Sequence, residues 1–433
     1  MLGAGSVGFT RRLMMDVLAV PELRDTHFAL HDIDAGNLRM AGDLCSKLIS
    51  ENALPATVTT HAERLPALEG ADYVFCTVRV GGLEAFAHDV EIPLSYGVDQ
   101  CVGDTLGPGG VFYALRTIPV LLEFAADMRR ACPGALLLNY SNPMAMNCWA
   151  LALAGGVRFV GLCHGVQGSL GQIAEALGVP REDVSYVAAG INHQTWFIDL
   201  RVGGRSVLGD LLPAMERHPD LSRLEPVRID VLRRFGYYST ESNGHLSEYL
   251  AWYRKGDFER WICRDAWSGG ETAGYLNCCR ATQDEYRRLY PGWMAGEDQG
   301  MCLGSRSLEH GSYIIEALST GRPYTGCFNV PNAGLIGNLP DGCIVELPCL
   351  ADGTGIHPMH VGDLPPACAA VCRQSVSVQE LAVRGALSGD RDAVRRAVLL
   401  DPLTGAVLSP DRVWDMVDEM FEAESRWLPQ FRR

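Results

Sequence analysis

The run Gly3-Ala4-Gly5-Ser6-Val7-Gly8, followed by the apolar segment His27 to Leu30 that closes on Asp32, decides the fold. Glycines at the first, third and sixth positions permit a tight turn, a close approach of backbone to a pyrophosphate, and packing of the next helix on a strand. The phosphate would sit at that helix's N-terminus. Asp32 lies 24 residues after Gly8. There a carboxylate accepts hydrogen bonds from ribose hydroxyls and disfavours a 2′-phosphate, which points to NAD rather than NADP. Gly3, Gly5, Ser6 and Asp32 are therefore the expected cofactor contacts. Only Met1 and Leu2 precede the glycines, against about five residues in a usual strand, so either the start is truncated or the first strand is unusually short.

Outward from this turn, short apolar runs alternate with helical patterns: Tyr73 to Val78, Ala135 to Leu138 and Arg158 to Leu162, with helical spacing over Arg11 to Val20 and Val111 to Arg129. This is the cadence of a Rossmann-like, doubly wound parallel sheet with crossover helices. Pro119 is expected to kink or break the second helix. From Trp196 the pattern changes to longer helical stretches rich in Trp and Tyr, then a β-like run at Cys343 to Leu350. The reading is an α/β protein: a dinucleotide-binding domain over residues 1–195 and a mixed α/β domain over residues 196–433 for substrate binding and oligomerisation.

The 433-residue chain carries 37 basic and 52 acidic side chains, a formal charge of −15. That balance argues against nucleic acid, whose non-specific binding needs clustered Lys and Arg. No apolar stretch of about 18 residues runs unbroken; the nearest, Cys148 to Cys163, is split by Gly155-Gly156 and Arg158. The expectation is no membrane span, no secretory leader and a cytoplasmic location. Fifteen cysteines without framework spacing suit a reducing compartment.

Cys163 and His193 each follow a short apolar run, where the crevices of open α/β sheets form. A thiolate and an imidazole can ligate one divalent ion and leave positions for substrate oxygens; ligand softness alone suggests zinc. Asn139 and Asn142, after another strand, offer amides to a cofactor or a sugar. Asp104 heads the glycine-rich stretch Gly103 to Gly110. Thr240 to Tyr249 gathers Glu241, His245, Glu248 and Tyr249 within ten residues, enough for an acid, a base and hydroxyl partners. Arg79 could pair with a sugar carboxylate or a cofactor phosphate.

Together the segments GAGS at Gly3, DTLGPGG at Asp104, NYSNPMAMN at Asn139, GLCHGVQG at Gly161, GINH at Gly190, TESNGHLSEY at Thr240 and GLIGNLPDGCIVELPCL at Gly334 resemble glycoside hydrolase family 4, the NAD-dependent glycosidases, most closely the α-galactosidase (melibiase) branch. The resemblance implies a lactate/malate dehydrogenase-like first domain. It also implies a redox-assisted elimination, in which oxidation at C3 of the sugar acidifies the C2 proton, the aglycone leaves, water adds and C3 is reduced again. This departs from two-carboxylate hydrolysis. By that likeness Cys163 and His193 are the metal ligands and the ion is Mn²⁺. Asn142 and Glu241 contact the sugar, Asn139 lies on the nicotinamide side, and Asp104 is the acid. His245 and Tyr249 both stand as candidates for the C2 base. His164 after the cysteine, where 6-phosphosugar branches carry Asn or Asp, implies an unphosphorylated α-galactoside. Gly165 departs from the Cys-His-Ser of the closest branch and keeps α-glucosidase and α-glucuronidase or galacturonidase activity as alternatives. Likeness also implies a homodimer or homotetramer. Two other readings share the cofactor domain: a hydroxy-acid dehydrogenase, which would release NADH, and a sensor that binds sugar or nucleotide without cleavage.

Overall fold

Leu2 forms the whole of the first strand. In the computed structural model, which describes residues 1–297 and 303–431, β1 (His27–His31) runs parallel to β2 (Thr57–His61). Leu2 bridges β1 at His31 to β3 (Tyr73–Cys76) at Cys76, both in parallel. Its N–H donates to the Phe75 carbonyl at 2.8 Å, and its own carbonyl accepts from Thr77 N–H at 2.9 Å. β4 (Leu136–Asn139) and β5 (Arg158–Gly161) continue the parallel ladder from β3. The order β2, β1, Leu2, β3, β4, β5 is doubly wound, and it reverses beside the glycine turn, where open α/β sheets bind ligands.

The sheet then changes sense. β6 (Val184–Ile191) and β7 (Gln194–Val202) form a hairpin extended by the short β8 (Arg205–Ser206) and β9 (Tyr238–Ser239). β10 (Tyr324–Pro331) and β11 (Ile344–Asp352) lie between β5 and β6, with β12 (Gly355–Pro358) on β11. These pairings are antiparallel, so one mixed sheet runs from the dinucleotide half into the second half. The strands with apolar residues on both faces, such as β4, are buried throughout. β2, with threonines at Thr57, Thr59 and Thr60, is mostly exposed, as a sheet edge permits.

The helix Gly107–Ala131 is the buried axis of the molecule, and Pro119 lies inside it without ending it. Proline removes one helical hydrogen bond, and the burial of Val111 to Ile118 on one side and Phe124 to Met128 on the other outweighs that loss. It is long and apolar enough to cross a membrane, but 72% of its most apolar window is buried by protein, including the helices Pro366–Ser388 and Met144–Ala150. Within it, fully buried Arg116 donates to both oxygens of Asp89 (2.8 and 2.7 Å) and to Glu424, tying the first half of the chain to the C-terminal segment. Arg116→Met would leave two buried carboxylates unpaired, and a loss of about 3–5 kcal/mol is expected in chemical denaturation. A loss under about 1 kcal/mol, the range of an exposed pair, would contradict that account.

Candidate active site

At the glycine turn each small residue has a reason. Gly3 has φ +85°, and a Cβ there would stand 2.8 Å from the Thr77 carbonyl. A Cβ on Gly5 would press on the Asp32 carboxylate, whose Oδ2 accepts the Gly5 N–H at 2.7 Å. The helix Val7–Leu18 begins with Ser6 making no side-chain cap, so its first N–H groups face outward, an anion site in waiting. Above them opens a cavity of about 680 Å³ lined by Gly5 to Phe9, Arg11, Arg12 and Asn37 from below and by Tyr275, Cys279 and Tyr286 of the helix Gly274–Ala295 from above. Size and lining fit a dinucleotide.

A second cluster lies beyond it. Cys163 follows β5, His193 sits at the tip of the β6–β7 hairpin with φ +61°, and Glu241 leads into the helix Asn243–Tyr249 with φ +74°. Two non-glycine residues in the left-handed region in one cluster mark backbone held against its preference. Ligating atoms of the three lie within 4.8 Å of one another. The Cys163 thiol donates to Glu241 Oε1 at 3.2 Å, and His193 Nε2 is 3.9 Å from the same oxygen. Gly165 makes this possible: a Cβ there would overlap Glu241 Oε1. Sulfur, imidazole and carboxylate form a donor set for a transition-metal ion with coordination positions to spare.

Asp104 joins this cluster through Thr105. The Thr105 hydroxyl donates to Asp104 Oδ1 at 2.8 Å and stands 2.8 Å from His193 Nδ1. Having given its proton to the carboxylate, it accepts from Nδ1–H, which leaves Nε2 as the ligating nitrogen. Asn142 donates to Asp104 Oδ2 at 3.0 Å, and Arg79 Nη2 lies 3.7 Å from it. The Arg79 guanidinium is stacked among Phe86, Tyr113 and Tyr275 (4.2, 5.0 and 5.4 Å to the ring centres). Through Tyr275 it also adjoins the dinucleotide cavity.

The helix Asn243–Tyr249, capped by Ser242, presents His245 and Tyr249 one turn apart to His193. The His245 ring lies 4.9 Å from that of His193, and the Tyr249 hydroxyl 3.5 Å from His193 Nδ1. Burial pushes His245 down to about 4, so it is neutral at pH 7, and pushes Tyr249 well above the usual phenol range. Burial opposes a charge on Glu241, yet the surrounding His193, His245 and His164 hold its carboxyl down to about 2. Burial raises the Cys163 thiol, with the Glu241 and Glu346 carboxylates adding to it.

His164 pairs with Glu309 (Nδ1 to Oε1, 3.0 Å). Asn139, the residue expected on the nicotinamide side, ends β4. It is fully buried, its Nδ2 donates to the Ser141 carbonyl at 3.1 Å and its Oδ1 accepts Ser141 N–H at 3.2 Å; its amide shapes the turn that delivers Asn142. Sequence reasoning passed over Thr105 and Asn192, which flank Asp104 and His193 in their motifs, and Glu309 and Glu346, which reach the site only through tertiary packing. Both polar atoms of the Asn192 amide, beside His193, are buried without a partner among the described residues, a pattern that suits a sugar hydroxyl.

The family 4 glycosyl hydrolase pattern matches residues 1–179, and the pattern of that family's C-terminal domain matches residues 188–404. The chain is 52% identical over 434 residues to a protein named α-galactosidase from Rhizobium meliloti (strain 1021), covering 99% of this chain and 89% of that one. A Bacillus subtilis (strain 168) α-galactosidase is 34% identical over 432 residues, covering 100% and 99%. A 6-phospho-α-glucosidase from gut microorganisms, solved in complex with NAD and Mn²⁺, has the same fold at a TM-score of 0.80 and 22% identity, over 99% of this chain and 98% of that one. The chain belongs to family 4 of the glycosyl hydrolases.

Proposed function

We propose that this protein is an α-galactosidase that hydrolyses unphosphorylated α-galactosides such as melibiose, holding NAD at the Gly3 to Gly8 turn and Mn²⁺ between Cys163, His193 and Glu241. The observation that carries the mechanism is the joining of that three-residue donor set to Asp104 through Thr105, with Arg79 and Tyr275 connecting Asp104 to the cavity at the glycine turn. The sugar assignment is supported by the 52% identity to a protein named α-galactosidase. When bound, the dinucleotide supplies reversible hydride acceptance at C3 and the ion polarises the oxygens at C2 and C3.

The chain's own residues do the rest. In its protonated form Asp104 delivers a proton to the leaving glycosidic oxygen, and the Thr105 and Asn142 donors together with Arg79 hold the carboxylate that remains, the form in which the structure shows it. Neutral His245 takes the C2 proton. Asn192 and Asn142 orient the sugar hydroxyls, and His164 with Glu309 closes the side of the pocket next to Cys163. A thiol ligand and free cysteines, fourteen among the described residues, support a reducing, cytoplasmic setting.

The test is p-nitrophenol release from the α-galactoside, α-glucoside and α-glucuronide in reducing buffer, each with and without NAD⁺ and Mn²⁺. The galactoside is expected to be cleaved only with both additions. Cleavage of another sugar would move the substrate, and cleavage indifferent to NAD⁺ in dinucleotide-free protein would end the redox reading.

A further inference from the structure

Glu248 is the carboxylate of the Thr240 to Tyr249 segment that the proposed reaction leaves unused. It is 4% exposed. Its Oε2 accepts the N–H groups of Cys101 and Val102 at 2.8 and 2.9 Å, and its Oε1 accepts that of Gly103 at 3.0 Å. Three successive backbone N–H groups converging on one carboxylate make the concave arrangement that binds anions elsewhere in proteins. Here the anion belongs to the chain itself. Burial pushes Glu248 up to about 7, a value that would suit a general base. Its geometry does not: both oxygens are occupied by backbone donors.

The residue after this grip is Asp104. Gly103 adopts φ +64°, a left-handed conformation that lets the chain reverse direction, so residues 101–103 turn their N–H groups to Glu248 while Asp104 meets Thr105 and Asn142. Upstream, Arg254 donates to the Asp99 carbonyl at 2.8 Å and to its Oδ2 at 2.7 Å, and Tyr275 N–H donates to the Cys101 carbonyl at 3.0 Å. The loop is thus anchored at its start by Arg254 and next to Asp104 by Glu248.

We propose that Glu248 is a positioning residue for Asp104, its carboxylate gathering the N–H groups of residues 101–103 so that the Asp104 carboxyl is aimed at the leaving oxygen. The proposal rests on the reading of Asp104 as the acid. A charged acceptor is needed because an amide at this place would turn one N–H₂ group against a backbone donor. A shift of the acid by about 1 Å is enough to cost roughly a hundredfold in rate.

The experiment compares Glu248→Gln and Asp104→Asn in protein loaded with NAD⁺ and Mn²⁺, on 2,4-dinitrophenyl α-galactoside, which departs unprotonated, and on methyl α-galactoside, which needs a proton. Asp104→Asn is expected to lose kcat selectively on the methyl substrate. Glu248→Gln is expected to show the same selectivity, losing roughly tenfold to a hundredfold on the methyl substrate and about threefold or less on the dinitrophenyl one, with KM and NAD⁺ affinity unchanged. Glu248→Asp keeps the charge and recovers part of the loss; it also serves as the test should the Gln variant not fold. Equal losses on both substrates, or none, in the Glu248 variants overturn the positioning role. Should Asp104→Asn itself lose both substrates equally, the acid reading fails, and the proposal falls with it for that separate reason.

Discussion

Cys163→Ser is expected to lower kcat/KM on an α-galactoside by roughly a hundredfold to ten-thousandfold, the equivalent of about 3 to 5 kcal/mol of transition-state stabilisation. The serine hydroxyl stays protonated where a thiolate would form, so the donor set falls from sulfur, nitrogen and oxygen to two groups. Mn²⁺ affinity, read from the electron paramagnetic resonance of the free ion, should fall with activity. NAD⁺ affinity should not, because the Gly3 to Gly8 turn and Asp32 are built without Cys163. A serine variant that keeps both its activity and its Mn²⁺ affinity would show that Cys163 is only a buried thiol beside Glu241.

His245→Ala is expected to remove roughly a hundredfold to ten-thousandfold of kcat while leaving Mn²⁺ and NAD⁺ binding intact. Tyr249→Phe should cost about tenfold or less. The difference follows from the surroundings: burial pushes His245 down to about 4, so the imidazole is neutral and carries a lone pair, whereas burial pushes Tyr249 far above the usual phenol range, so its hydroxyl stays protonated, 3.5 Å from His193 Nδ1. Steady-state kinetics with metal and dinucleotide titrations of both variants decide the matter. The reverse ranking would give the base to Tyr249.

The cofactor half was legible because its constraints are local. Gly3 and Gly5 are required by atoms of Thr77 and Asp32 that crowd them, and the runs at β3, β4 and β5 are apolar because both faces of a parallel sheet are covered. β2 left no such signal, since Thr57 to His61 lies at an edge. Pro119 reads as a kink or break in sequence; it does not end the helix Gly107–Ala131, because the core closes around it. The insertion of β10 and β11 between β5 and β6 cannot be read from periodicity, which reports faces and not neighbours. In the site, Asp104, Cys163, His193 and His245 announced themselves in motifs. Glu241 was visible as a polar residue, but its approach to Cys163 depends on the absence of a side chain at Gly165. Glu248 lay in the same motif, and only the fold shows it turned toward the backbone of residues 101–103.

Hydrolysis of an α-galactoside in D₂O, followed by NMR of the released galactose, tests the central claim most directly. Removal of the C2 proton and later return of a solvent proton to the same carbon would place deuterium at C2 of the product, and the account predicts that it is found there. Galactose that keeps protium at C2, with deuterium only in its exchangeable hydroxyls, would contradict the account and return the reaction to direct displacement by a pair of carboxyl groups.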